Sequence, residues 1–264
     1  MAPEPRQLPL RHAVALGLLH GPAELMPISS SGHTALLPWL SGWPYQDLDP
    51  AMRKRFEVAL HAGALLALGS DLAGTMVSLR GRRALRSAAA TIPAAIAGLA
   101  FERVIEERLG KPGTIAAGLV AGSVAMLAAE RLGSGERRAT DAGVLDGLFL
   151  GAAQSFALIP GVSRSAAARA AARARGFSPD SAHELASEIG LPVTLGAIIL
   201  KGRELRATDR SELLTLAAGA GASYASTLAA SSVLSRGGSL VPYAAYRAGL
   251  AGVVLRRLRN NGRR

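Results

Sequence analysis

The chain carries six apolar stretches, approximately 56–79, 87–107, 113–132, 181–201, 211–235 and 241–258, each of a length that can cross a bilayer. A hydrocarbon core needs ~20 mainly apolar residues in a helix, because lipid offers no partner to a backbone N–H or C=O. Each stretch is closed by glycine, proline or charge, as at Gly110-Lys111-Pro112-Gly113 and Arg236-Gly237-Gly238. The pattern predicts an all-α polytopic membrane protein with about six transmembrane helices.

Charged residues are 19% of the chain and hydrophobic ones 49%, against ~25% charged in ordinary soluble domains. The 30 glycines suit helices that approach closely in lipid. A net charge of +11 invites a nucleic-acid reading, but the arginines fall in clusters between the apolar runs. These clusters are Arg80, Arg82, Arg83 and Arg86; Arg203, Arg206 and Arg210; and Arg256, Arg257, Arg259, Arg263 and Arg264. They read as membrane flanks facing anionic headgroups. With only 4% aromatic residues to stack on bases, no nucleic acid is expected as a partner. Cysteine is absent, which excludes disulfides and thiolate metal sites. The apolar run Ala13 to Leu19 is interrupted by His20, Pro22 and Glu24 before any cleavage-like site, so it is read as structure rather than signal peptide.

Two further apolar stretches, around 11–40 and 143–176, break in the middle. The first breaks at Met26-Pro27-Ile28-Ser29-Ser30-Ser31-Gly32-His33 and the second at Ile159-Pro160-Gly161-Val162-Ser163-Arg164-Ser165. Each half is too short to cross, and broken backbone at membrane depth survives only against protein or a water-filled cavity. Both are expected to be re-entrant helical hairpins. They also resemble each other: a glycine and a polar residue (Gly17 and His20; Gly151 and Gln154), then Leu-x-Pro, then Ser-x-Ser (Ser29 and Ser31; Ser163 and Ser165). With three spans between them the second enters from the opposite face, as in an inverted repeat whose tips meet near the midplane. The expected halves of this single integral membrane domain, 1–264, are approximately 1–132 and 133–264. The N-terminus, the 41–55 and 202–210 loops and the C-terminus then share one face, whose slight excess of Lys and Arg reads as cytoplasmic.

Chemistry concentrates at the two breaks. Arg164 is an ionised group in an apolar setting, so a cavity and a partner are expected for it, and its planar fork suits phosphate. Ser163, Ser165 and the Pro160-Gly161 turn beside it make an anion nest. The other break offers Ser29, Ser30 and Ser31 as hydroxyls and His33 as an imidazole, at the start of a half-helix whose free amides favour an anion. Glu24, in the preceding apolar segment, needs a cation, an arginine or a proton.

These residues resemble the undecaprenyl-diphosphate phosphatases associated with bacitracin resistance, over nearly the whole chain. The resemblance runs through Glu24-Leu-Met-Pro27-Ile-Ser29-Ser30-Ser31-Gly32-His33, Phe56-Glu57-Val58 to Gly63-Ala64, and Gly151-x-x-Gln154 to Ser165. It continues to Glu184, Pro192-Val193-x-Leu195-Gly196-Ala197 and Pro242-Tyr243-Ala244-Ala245-Tyr246-Arg247. It implies hydrolysis of a C55 polyprenyl diphosphate with a divalent cation, Mg²⁺ or Ca²⁺, at a site opening toward the outer face of the bacterial inner membrane. By position, Ser30 is the implied nucleophile with Ser29 as alternate, His33 its base or the leaving-group acid, and Arg164 the diphosphate clamp. Ser163 and Ser165 would be donors, Ser31, Gln154, Gly161 and His20 would join the substrate site, and Glu24 would hold the metal or orient His33. The expected partners are the polyprenyl diphosphate, the bilayer and, as a candidate homodimer, a second copy of the chain.

The chain departs from the family pattern at four places. A carboxylate usually stands four residues before Glu24, where this chain has His20, and a His–Glu pair suits Mg²⁺ or Ca²⁺ less than two carboxylates would. Ala166 and Ala168 replace a glycine and a threonine, and Glu188 falls at an apolar position within a span, as an interface-facing helix end or a cavity-lining proton site. An acid-phosphatase reading fails, since Ser165-Ala-Ala-Ala-Arg169-Ala170 lacks that family's nucleophilic histidine. The rival is a carrier that flips a polyprenyl phosphate without cleaving it; transport needs an anion site but no nucleophile beside a base.

Overall fold

The computed structural model describes residues 8–69, 73, 74, 77, 79–133, 135–202, 205, 210–234 and 237–262. Ten α-helices are described: α1 Leu10–Leu25, α2 Ser30–Ser41, α3 Pro50–Ala67, α4 Arg82–Arg108, α5 Pro112–Leu132, α6 Val144–Ser155, α7 Arg164–Ala174, α8 Pro179–Lys201, α9 Arg210–Leu234 and α10 Val241–Asn261. The far end of the expected 56–79 span is only partly described, and Arg203, Arg206, Arg263 and Arg264 of the sequence clusters lie outside the described residues.

Four segments, Arg82–Phe101, Pro112–Leu132, Pro179–Lys201 and Glu212–Ser231, are long and apolar enough to span a membrane. They coincide with four of the expected spans. The other two expectations map onto α3 and α10, which carry more charge; α10, at 21 residues, is still about 31 Å long. Proline starts several of these helices where its missing N–H costs nothing, as at Pro50, Pro112 and Pro179. Asp49 and Ser178 cap α3 and α8 by accepting from the amides of Met52 and Ser181.

Both expected hairpins are present as broken helices. α1 and α2, of 16 and 12 residues, meet at 26–29, and α6 and α7, of 12 and 11 residues, meet through a 3₁₀ turn Phe156–Leu158 and the segment 159–163. At 1.5 Å per residue none reaches the ~30 Å of a hydrocarbon core. The helices of each hairpin pack on one another. α1 also packs along α9, while α6 packs along α4; α3 packs on α9, and α8 on α4; α5 and α10 pack together. These pairs interchange when the first five helices are swapped for the last five.

Small residues set the close approaches. A Cβ added at Gly17 would strike the backbone of Gly219, and one at Gly63 would strike the carbonyl of Ala220, so α1, α3 and α9 contact almost backbone to backbone. The outside is apolar: Ile96, Leu99, Val124, Leu145, Leu214 and Val253 are exposed. Charge goes inward. Arg86 of α4 and Glu188 of α8 are buried 2.6 Å apart, and Arg86 also donates to the carbonyls of Ala139 and Ala142. Glu188 therefore takes neither form expected for it in full: it borders a cavity, but both its oxygens are bound by Arg86 and Arg83. Asp146, at the base of the second hairpin, accepts from Arg137 and Arg175 at 2.9 and 2.8 Å. Apolar outside and paired charge inside is the arrangement lipid demands.

Candidate active site

The two hairpin tips are built alike. Ser29 and Ser163, the N-caps of α2 and α7, are the two described non-glycine residues with positive φ, at 80° and 65°. Such backbone costs about 1–3 kcal/mol each and persists only where surrounding contacts over-determine it. Each side chain accepts from the amide three residues on, Gly32 and Ala166, and lies near the hydroxyl two residues on, Ser31 at 3.5 Å and Ser165 at 3.3 Å. The geometry turns two helix N-termini, each rich in free N–H groups, toward the junction of the hairpins.

Arg247 joins them. It is 0% exposed, and its guanidinium donates to the carbonyl of Pro27 from the first tip and to those of Gly161 and Val162 from the second. Gly161 has φ 98°, and a Cβ there would meet the carbonyl of Ile115 on α5. A second link runs from the Ser165 hydroxyl to the Met26 carbonyl at 3.3 Å.

Glu24 is the hub of the polar cluster at this junction. One carboxylate oxygen accepts from Arg164 at 3.2 Å, and the other accepts from the Ser30 hydroxyl at 2.6 Å and lies 3.8 Å from His61 Nε2. His61, on α3, faces His20 on α1 with ring centroids 4.6 Å apart. Glu24, His61, Arg164 and Ser165 line a cavity of about 250 Å³ together with His183 and Ser187 of α8. A neighbouring cavity of about 320 Å³ shares His183 and Ser187 and is bordered by Arg83 and Glu188.

The structure thus brings Ser30, Glu24, Arg164 and His20 into one cluster, with Ser29, Ser31, Ser163 and Ser165 at the tips around it. It does not bring His33 to Ser30. His33 Nδ1 donates to the Ser29 carbonyl at 2.7 Å and Nε2 meets the Tyr246 hydroxyl at 2.8 Å, so both ring nitrogens are engaged elsewhere. The group in contact with the Ser30 hydroxyl is Glu24. Gln154 also stands apart: its amide donates to the Ala90 carbonyl at 3.0 Å and ties α6 to α4. Gly161 acts through its backbone, as the pivot that Arg247 holds.

Sequence reasoning missed His61, Tyr246 and Arg247 as parts of the site. An ionisable residue inside an apolar span is a functional candidate by default, and that signal was present at His61 and Arg247. What they touch was not readable locally.

A profile of the family described as bacitracin resistance protein BacA matches residues 13–253. The chain is 37% identical to a protein of Geobacter sulfurreducens named undecaprenyl-diphosphatase, over 93% of this chain and 97% of that one. Proteins of the same name from Geobacter metallireducens and Moorella thermoacetica are 35% and 34% identical, over 80% and 73% of this chain and 83% and 76% of theirs.

Proposed function

The chain belongs to the bacitracin resistance protein BacA family, and from that premise we propose a mechanism in which Ser30 attacks undecaprenyl diphosphate with Glu24 as its base. The activity is hydrolysis of undecaprenyl diphosphate to the monophosphate and inorganic phosphate, which recycles the lipid carrier of cell-wall synthesis. The observation that carries the residue assignment is the 2.6 Å contact from the Ser30 hydroxyl to Glu24, at a carboxylate whose other oxygen faces Arg164.

Ser30 Oγ bonds to the terminal phosphorus while Glu24 takes its proton, and the anhydride P–O bond breaks with undecaprenyl monophosphate as leaving group. Water then cleaves the serine phosphoester and releases phosphate. Phosphoryl transfer is mostly positioning and neutralisation of spreading negative charge. Arg164 borders the cavity and is the cation placed to receive the diphosphate, with Ser163, Ser165 and Ser31 as hydroxyl donors around it. His33 supports the tip by holding the Ser29 carbonyl and Tyr246. A divalent cation at Glu24 belongs to the proposal; when bound it would supply further positive charge to the phosphates. A carrier needs no hydroxyl donating to a carboxylate in its anion site, and this contact favours hydrolysis over flipping without cleavage.

The proposal places this multi-pass protein in the bacterial inner membrane, with the cavity reached from the outer face; association with a second copy is tested by its mass in detergent. Purified protein should release phosphate from undecaprenyl diphosphate, and Ser30→Ala should abolish release with helical content unchanged. Full activity in Ser30→Ala would sink the nucleophile assignment, and lipid translocation without phosphate release would favour the carrier.

A further inference from the structure

Beside Ser30, three side chains from two helices converge: His20 and Glu24 of α1 and His61 of α3, with donor atoms all within 4.8 Å of one another. The tautomer of each imidazole is dictated by its other nitrogen. His61 Nδ1 lies 2.9 Å from the Glu57 carbonyl, which can only accept, so Nδ1 carries a proton and in the neutral ring Nε2 presents a lone pair. His20 Nδ1 lies 3.0 Å from the Ser223 hydroxyl. That hydroxyl spends its one proton on the Leu60 carbonyl at 2.8 Å, so it must accept from His20. His20 Nε2 is therefore a bare lone pair too; His20 is 1% exposed, and this nitrogen has no hydrogen-bond partner.

The buried His20 nitrogen, the half-exposed His61 nitrogen and a carboxylate converge with no donor to satisfy His20. Each imidazole is fixed from behind by a hydrogen bond to the protein, the arrangement that orients histidines at metal centres. Glu24 keeps one oxygen on Arg164, and the other, which accepts from Ser30, lies 3.8 Å from His61 Nε2.

Resting on the hydrolase reading above, we propose that His20, Glu24 and His61 bind a borderline first-row transition ion of the Zn²⁺ class, rather than Mg²⁺ or Ca²⁺. The donor set decides the class. Mg²⁺ and Ca²⁺ are held by oxygen, whereas imidazole nitrogen selects zinc and its neighbours. Two histidines and one carboxylate would leave a fourth tetrahedral position for water or substrate, and two of the three ligands, Glu24 and His61, line the cavity. Ligands ~2.1 Å from such an ion stand roughly 3.4 Å apart. The 3.8 Å between Glu24 and His61 therefore has to close only slightly, and His20, within 4.8 Å of both, by at most about 1.4 Å. His20, which weakens an oxygen-ligated site, thus becomes a ligand in a nitrogen-rich one.

The full chain, purified in detergent and stripped with a chelator, would be titrated with Co²⁺ while recording visible absorption. Zn²⁺ affinity would then be read by competition with a chromophoric chelator. The expected result is one ion per chain, with the intense band of four- or five-coordinate Co²⁺, displaced by Zn²⁺ but not by millimolar Mg²⁺ or Ca²⁺. His61→Gln and His20→Ala should each weaken Zn²⁺ by ~100-fold or more, and Ser223→Ala, which keeps all three ligands, by ~10-fold or more. Ser223→Ala serves if a ligand variant fails to fold. Absence of stoichiometric Co²⁺ binding, displacement by Mg²⁺, or identical spectra in wild type and all three variants overturns the proposal. Phosphate release is measured on the same wild-type sample. Binding without hydrolysis keeps the site and sinks the phosphatase reading, while hydrolysis without the Co²⁺ band does the reverse.

Discussion

Replacing Arg247 with methionine tests whether the two hairpin tips are held as one unit. The substitution keeps an unbranched side chain of similar length and removes every donor. Three carbonyls within 3.2 Å lose their partner: Pro27 at 3.1 Å, Gly161 at 2.8 Å and Val162 at 3.2 Å. A buried carbonyl left unpaired costs about 1–3 kcal/mol, so the gross loss is about 3–9 kcal/mol. Against this, Arg247 is buried without a carboxylate partner among the described residues, and relieving its desolvation returns several kcal/mol. The net expectation is about 2–5 kcal/mol of destabilisation. Because the lost contacts come from both tips, the effect should fall on their relative position. Misplacing reacting groups by 1 Å costs ~10²-fold in rate, so kcat should drop by about that factor. The assay pairs thermal unfolding in detergent with phosphate release, using Arg256→Met, at an exposed position on the same helix, as control. Wild-type kcat and an unchanged unfolding midpoint in Arg247→Met would refute the reasoning.

His33→Ala and Tyr246→Phe remove the same 2.8 Å contact, so each should lower activity by ~10-fold, less than a missing base would at 10²–10⁴-fold, and the double variant should be no worse than His33→Ala. Additive losses in that cycle would show that the pair does not act together. Glu188→Gln leaves Arg86 buried without its countercharge and should cost ~3–5 kcal/mol in thermal unfolding; loss of activity at unchanged stability would instead point to a chemical role. Gly161→Ala combines φ 98° with a contact on the Ile115 carbonyl and should destabilise the second tip by at least ~1–3 kcal/mol, seen as lower yield and midpoint; a wild-type midpoint would contradict the tight packing.

Much of the fold was legible because lipid imposes local rules. Apolar length marked α4, α5, α8 and α9, and the Pro/Ser interruptions marked both hairpins, since backbone polarity at membrane depth is costly wherever it occurs. The same rule flagged Glu24 and Arg164, which the structure puts 3.2 Å apart although 140 residues separate them. It could not say that Ser30 would contact Glu24 while His33, three residues further on, would turn to Tyr246. One turn of α2 carries both residues, and the contacts that orient each come from other helices.

The sequence by itself determined that the chain enters the membrane, where it breaks, and which charged residues cannot face lipid. Each of these is a property of a short window: hydropathy, a proline, an ionised group in an apolar run. Only the tertiary structure decided the partners. His20 meets Ser223 across 203 residues and Arg247 reaches Pro27 across 220, in register because glycines at the α1–α9 and α3–α9 contacts let the backbones touch. Packing register is a sum over many weak contacts between distant segments, and no window of sequence contains it.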